Sequence, residues 1–197
     1  MATPKATRIG IWIIAIVMMI GTVGSFAVMI LANDNAKIDQ EAQAKAYAKY
    51  QEQVAAQEKE AVALSEKYYP EFAQYQGSPA EFSAEQVGKD VKTTDLKMGE
   101  GAEIAKGTKY QAYYIGWTPK GKVFDGSFDG TKLKAPLDTS MLQGTIPGWE
   151  SGVIGMKVGG VREITIPSDL AYGETGSGDA IPPNTPLKFI IMIIATK

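Results

Sequence analysis

The sequence predicts an α+β domain in which an antiparallel sheet curls over one short helix, with an apolar span and a helical stalk ahead of it. Three observations carry this. Short strand-like runs alternate with glycine turns from Val91 to the C-terminus. Within them, residues 144–167 pack a proline turn, a tryptophan-led helical turn and a β-branched strand into one segment. Upstream lie an uncharged run at 9–32 and a long stretch of helix formers without glycine or proline.

Residues 1–8 are polar and carry Lys5 and Arg8. The run at 9–32 is long enough for a bilayer, which about 20 apolar residues cross as helix. Trp12 stands near one end, where an indole prefers the interface, and Asp34 and Asp39 follow the span. This charge order reads as a single-pass anchor with a cytoplasmic N-terminus and the remainder outside. A cleaved signal is the rival, because Ser25 and Ala27 sit three and one before a cut. The apolar run nevertheless continues through Leu31, whereas a signal's apolar region spans ~7 to 15 residues. Either reading places the C-terminal domain outside the cytoplasm.

Residues 33–69 are rich in Ala, Gln, Glu and Lys, which predicts a stalk helix. Tyr47, Tyr50, Val54, Gln57, Ala61, Leu64 and Tyr68 recur at heptad-like spacing. Gln57 and Ala61 leave the stripe weak, so a solitary stalk is favoured over a coiled-coil dimer, and any stalk-mediated pairing is expected to be weak. Pro70 and Pro79 break the helical pattern, and residues 70–88 read as a connector with Phe72, Tyr75 and Phe82 scattered along it.

Residues 89–197 form the expected globular domain. Its strand-like runs are 91–96, 109–118, 122–124, 133–137, 161–167 and 187–195. The last, LKFIIMIIA, is apolar at both alternating sets and predicts a strand buried on both faces. Trp149, Val153 and Met156 share one helical face, joined through the turn at 157–160 to the strand of Val161, Ile164 and Ile166.

The chain of 197 residues has neither cysteine nor histidine. That excludes a disulfide framework, a thiol nucleophile, a Ser-His-Asp triad and a Cys/His zinc site. The net charge of −2, with no basic cluster interleaved with aromatics, gives no footprint for nucleic acid. Two motifs fail on inspection. GWTPKGKV at 116–123 has P-loop glycines, but Val123 stands where magnesium needs Ser or Thr, and Pro119 to Gly121 make a hairpin turn. Asp125, Ser127, Asp129 and Gly130 begin a calcium loop that Pro136 spoils. No metal or cofactor is called for.

The run Ile146, Pro147, Gly148, Trp149, Glu150, with AYYIG at 112–116 and GKVFD at 121–125 upstream and Ala171, Tyr172, Gly173 and Ile181, Pro182, Pro183 downstream, resembles the FKBP-type peptidyl-prolyl isomerases. The resemblance covers the last 110 residues or so. It implies an FKBP-like fold and rotation of Xaa-Pro bonds in proline-containing polypeptides, with macrolides as further ligands. Trp149 would floor the pocket, Tyr114, Phe124 and Phe189 would wall it, and Asp125 would face the substrate amide while bonded to Tyr114. Tyr172 would donate to a substrate carbonyl, Ile146 would offer its backbone N–H beside Thr145, and Ile181 would close the rim. Asp125, Tyr172, Phe124 and Trp149 are thus the expected catalytic set, with Leu133 among the substrate-binding positions.

The sequence departs from the family pattern at Leu133, Ala135, Tyr113 and Ala180, and carries extra residues at 138–143. A proline-segment-binding chaperone or scaffold with little turnover, tethered to the membrane, would use the same pocket. Taken as ordinary core, Trp149, Tyr114 and Phe189 would be unremarked in any small domain, whereas a carboxylate after Phe124 in an apolar setting needs a partner.

Overall fold

The computed structural model describes residues 36–141 and 145–197. The span at 9–32 lies outside the described residues, as do residues 142–144, which include the end of the extra loop. Among the described residues no helix is long and apolar enough to cross a membrane. The chain divides into two compact units, Met1–Gln57 and Glu58–Lys197.

In the first unit the described residues are the opening turns of α1 (Ala36–Phe72), on which Tyr47 is exposed. The sequence predicts a helix that stops before Pro70, but α1 runs through Pro70 to Phe72. Pro70 forfeits one helical hydrogen bond, at a cost of about 3 kcal/mol in a helix interior. Burying a Phe side chain recovers roughly 1.5 to 3 kcal/mol, and Phe72 two residues on is completely buried.

The second unit is built on an antiparallel sheet. Its strands are β1 (Lys92–Lys97), β2 (Tyr110–Trp117), β3 (Val123–Gly126), β6 (Leu137–Asp138), β7 (Val161–Ile166) and β8 (Leu187–Thr196), with β4 (Phe128–Asp129) and β5 (Lys132–Leu133) as a separate hairpin. The order is β1-β7-β8-β2-β3, and β6 also pairs with β2. The single run expected at 133–137 is split into β5 and β6, with Pro136, which lacks a ladder N–H, between them.

Alternation sorts the side chains of β2 and β8 onto two faces. Tyr110, Ala112, Tyr114, Leu187, Phe189, Ile191 and Ile193 join an inner core with Trp149, Val153 and Met156. Tyr113, Ile115, Trp117, Ile190, Met192 and Ile194 join an outer one. The expectation of a last strand buried on both faces holds.

What buries the outer face is the segment read from sequence as stalk and connector. Leu64, Tyr68, Phe72, Tyr75 and Phe82 all pack there. The Phe72 ring stacks on Phe128 at 5.1 Å, Trp117 Nε1 donates to the carbonyl of Ala80 at 3.0 Å, and the amide of Phe82 donates to Pro119 at 2.9 Å. The heptad-like positions Leu64 and Tyr68 therefore serve the sheet of their own chain.

The inner face is covered by α2 (Pro147–Val153). Pro147 starts it at the first helical position, where its fixed φ suits a helix and its missing N–H is no loss. The helix stops at Val153, one turn short of the expected Met156, because Gly155 takes φ +78°. Met156 still reaches the inner core through that turn, its carbonyl accepting from Ile104 at 2.7 Å. Arg162 closes the helix end, donating from one nitrogen to the carbonyls of Gly152 and Ile154, both at 3.0 Å.

Candidate active site

Two glycine positions let the site assemble. Gly116 continues the inner-facing set of β2, and a Cβ there would stand 2.5 Å from the ring of Phe189 and 2.8 Å from that of Phe124. Its bare backbone is what lets those rings meet edge to face, 5.5 Å apart at 89°. Gly148 lies so close to Ile166 of β7 that a side chain would collide with it. The helix carrying Trp149 is thereby drawn onto the sheet.

Trp149 is 4% exposed and sits between two rings at near right angles, Tyr114 at 5.3 Å and Phe189 at 5.0 Å. Such edge-to-face pairs favour a fixed orientation. Ile181 is buried in the same cluster, and Phe124 and Ile146 pack against it. Ile181 is delivered by the loop after Tyr172, which a bridge between Ser177 and Ile181 closes. Ile146 precedes α2, its carbonyl taking the amide of Trp149 at 2.9 Å.

At the lip of this cluster Tyr114 donates its hydroxyl to Oδ2 of Asp125 at 2.5 Å, while the amide of Gly126 donates to Oδ1 at 2.8 Å. Burial, then the hydrogen bond and charge of Asp125, push the Tyr114 hydroxyl far above its ordinary pKa, so it stays a proton donor. Tyr172 is 39% exposed, and its hydroxyl is raised by burial first and by the Asp125 charge second. The charge of Asp125 thus raises both hydroxyls.

Of the residues singled out from sequence, Tyr114, Phe124, Trp149, Phe189, Ile146 and Ile181 meet in one apolar cluster, with Asp125 bonded to it. Leu133 does not. Its amide donates to Ser65 of α1 at 2.8 Å, which turns it into the outer core on the opposite side of the sheet. Thr145 lines a separate cavity of about 100 Å³ with Ile104, Tyr110, Thr139 and Glu150. The sequence does not single out two further residues that support the cluster. Ser127 takes the amide of Tyr114 on its Oγ at 2.9 Å, and Tyr110 takes the indole N–H of Trp149 at 2.9 Å. In the sequence Ser127 stands out only as part of a calcium-loop pattern, and a tyrosine opening a strand carries no signal of its own.

The family model for FKBP-type peptidyl-prolyl cis-trans isomerases matches residues 100–194. An FK506-binding protein of Neisseria meningitidis serogroup A is 41% identical over 101 residues, 51% of this chain and 90% of that protein. The chain belongs to the FKBP-type peptidyl-prolyl cis-trans isomerases. A probable FK506-binding protein of Corynebacterium glutamicum shares 41% identity with this FKBP-type isomerase over 109 residues, 54% of this chain and 87% of the relative. The FK506-binding protein 4 of Rhizopus delemar is 41% identical over 103 residues, but the chain spans only 26% of that longer relative. A crystal structure of a peptidyl-prolyl cis-trans isomerase from Pseudomonas syringae pv. tomato aligns with TM-score 0.47 and 27% identity, over 71% of this chain and 95% of that one.

Proposed function

We propose that the ring cluster of Tyr114, Phe124, Trp149 and Phe189 receives the pyrrolidine ring of an Xaa-Pro segment, and that catalysis follows from how that seat treats the amide. Rotation must break resonance worth ~18 to 20 kcal/mol but no covalent bond. It therefore needs no nucleophile. In the planar ground state the carbonyl oxygen carries negative character that water stabilises; in the twisted state the charge has returned to nitrogen. A seat floored by a 4% exposed indole holds water off and disfavours the planar form selectively.

Asp125, held by Tyr114 and Gly126, would fix the electrostatic field beside the amide, and the part-exposed Tyr172 would donate to a substrate carbonyl. The observation that carries this reading is the convergence of four rings beneath one anchored carboxylate. The test is a proline-peptide isomerisation assay on the full chain. Asp125→Ala and Tyr172→Phe should each lower kcat/KM with unchanged circular dichroism. Wild-type kinetics in both would move the site elsewhere, and an uncatalysed rate in the parent chain would leave a proline-binding module without turnover.

The run at 9–32, with Lys5 and Arg8 before it and Asp34 and Asp39 after, supports a single-pass anchor that presents the isomerase outside the cytoplasm to exported polypeptides. Accessibility of the C-terminal domain to protease added to intact cells tests this orientation. FK506, which names the relatives, is expected to compete with peptide in the same seat.

A further inference from the structure

We propose that Tyr110 is a positioning residue for the isomerase: by accepting the indole N–H of Trp149 it sets the rotation of the ring that floors the pocket. The inference rests on Trp149 being that floor, as argued above. An indole has one polar atom, a donor only, and when buried that donor needs an acceptor. Here the acceptor is the hydroxyl of Tyr110 at 2.9 Å. The edge-to-face contacts of Tyr114 and Phe189 fix the tilt of the indole plane, but they do not specify which way its N–H points within that plane. The hydrogen bond supplies the missing direction.

Tyr110 is itself a rigid post. It is buried at the start of β2, opposite Thr196 of β8. Its amide donates to Oγ1 of Thr139 at 2.9 Å, and its carbonyl takes both the amide and the hydroxyl of Thr139, each at 3.0 Å. Tyr110 and Tyr114 are four apart on one strand, hence on the same face and roughly 13 Å apart along it. They grip the indole at two places, Tyr110 by hydrogen bond and Tyr114 by ring contact. Burial raises the Tyr110 hydroxyl above its ordinary pKa, the bond from Trp149 opposes this, and the charge of Glu150 adds to the rise.

Tyr110→Phe keeps the ring and deletes only the acceptor. The variant keeps every ring that holds water off the amide and loosens only the grip on the proline ring, which is made in ground and transition states alike, so the loss should fall on KM rather than kcat. In the full chain we expect kcat/KM to drop about fivefold with kcat nearly unchanged, as for one lost neutral hydrogen bond. The Trp149 indole proton, one of three in the chain and assigned by its disappearance in Trp149→Phe, should move upfield and exchange faster with solvent. Kinetics within twofold of wild type while the resonance moves, or a resonance that stays put, would overturn the proposal. Should the variant fail to fold, the wild-type chain decides: a Trp149 indole proton that exchanges as fast as an exposed one rules the bond out. Failure of the pocket reading looks different, since wild type would then show only the uncatalysed rate.

Discussion

Tyr114 and Asp125 are joined twice over: the tyrosine hydroxyl bonds the carboxylate at 2.5 Å, and the tyrosine backbone is stitched to Ser127, two residues beyond, by its amide to Oγ at 2.9 Å and its carbonyl from the Ser127 amide at 2.8 Å. The carboxylate's place is thus set by the strand that supplies Tyr114 to the ring cluster around Trp149. Tyr114→Phe should lower kcat/KM three- to tenfold, about 1 kcal/mol. The urea midpoint should move little, since Asp125 itself is exposed.

Gly116→Ala tests the ring geometry from outside the catalytic set. The added methyl would push into Phe124 and Phe189, and overpacking of this kind costs roughly 1 to 3 kcal/mol. We expect a lower urea midpoint together with reduced kcat/KM at temperatures where the variant is fully folded. Full activity would mean that the Phe124–Phe189 contact is irrelevant to the reaction.

Phe72→Ala probes the outer face. Removing a fully buried phenyl that stacks on Phe128 should cost about 3 to 5 kcal/mol in denaturant unfolding. Below the transition the variant should isomerise peptide at the wild-type rate, because the ring cluster proposed to seat the proline lies on the other side of the sheet.

Arg162 ties three elements. It grips Asp95 of β1 through two nitrogens at 2.6 and 3.1 Å as it closes the end of α2, and its side chain is 12% exposed. Arg162→Leu should destabilise the domain by roughly 2 kcal/mol, because Asp95 and two helix carbonyls lose their donor. Arg162→Lys should recover only part of this, a point charge being unable to serve both sides.

Acid sensitivity should trace to Asp138. Burial alone would raise its carboxyl, but hydrogen bonds from Lys197 and Ser140 outweigh this and bring it down to about 2 from an ordinary 3.8. The side chain is 9% exposed and lies 2.5 Å from Lys197 Nζ. A depressed carboxyl stabilises the fold above its unfolded pKa and loses that contribution as pH falls toward its folded one. The stability gap between wild type and Asp138→Asn should therefore be flat above pH ~5, on the order of 2 kcal/mol, and shrink towards pH ~2. A gap that widens on acidification would refute the assignment.

The strands, the covering helix and most ring residues were legible because they depend on local pattern: alternation in β2 and β8, a proline at a helix start, and an ordered set of motifs. Leu133 was misplaced because a two-residue strand has no alternation to read, and its direction is decided by Ser65, 68 residues away in sequence. The same limit hid the role of Tyr68 and Phe72. A half-apolar helix looks the same whether its stripe meets another helix or the back of a sheet, and only tertiary packing chooses.

The helix that covers the sheet also bears on how this isomerase could be transplanted. The family match begins at residue 100, after β1 and after every aromatic supplied by α1 and the segment that follows it. A graft trimmed to those limits would carry the ring cluster around Trp149 yet present Tyr113, Ile115, Trp117 and Met192 to solvent as a greasy back. Such a chimaera would be self-associating, and the segment from Glu58 onward is the portable unit.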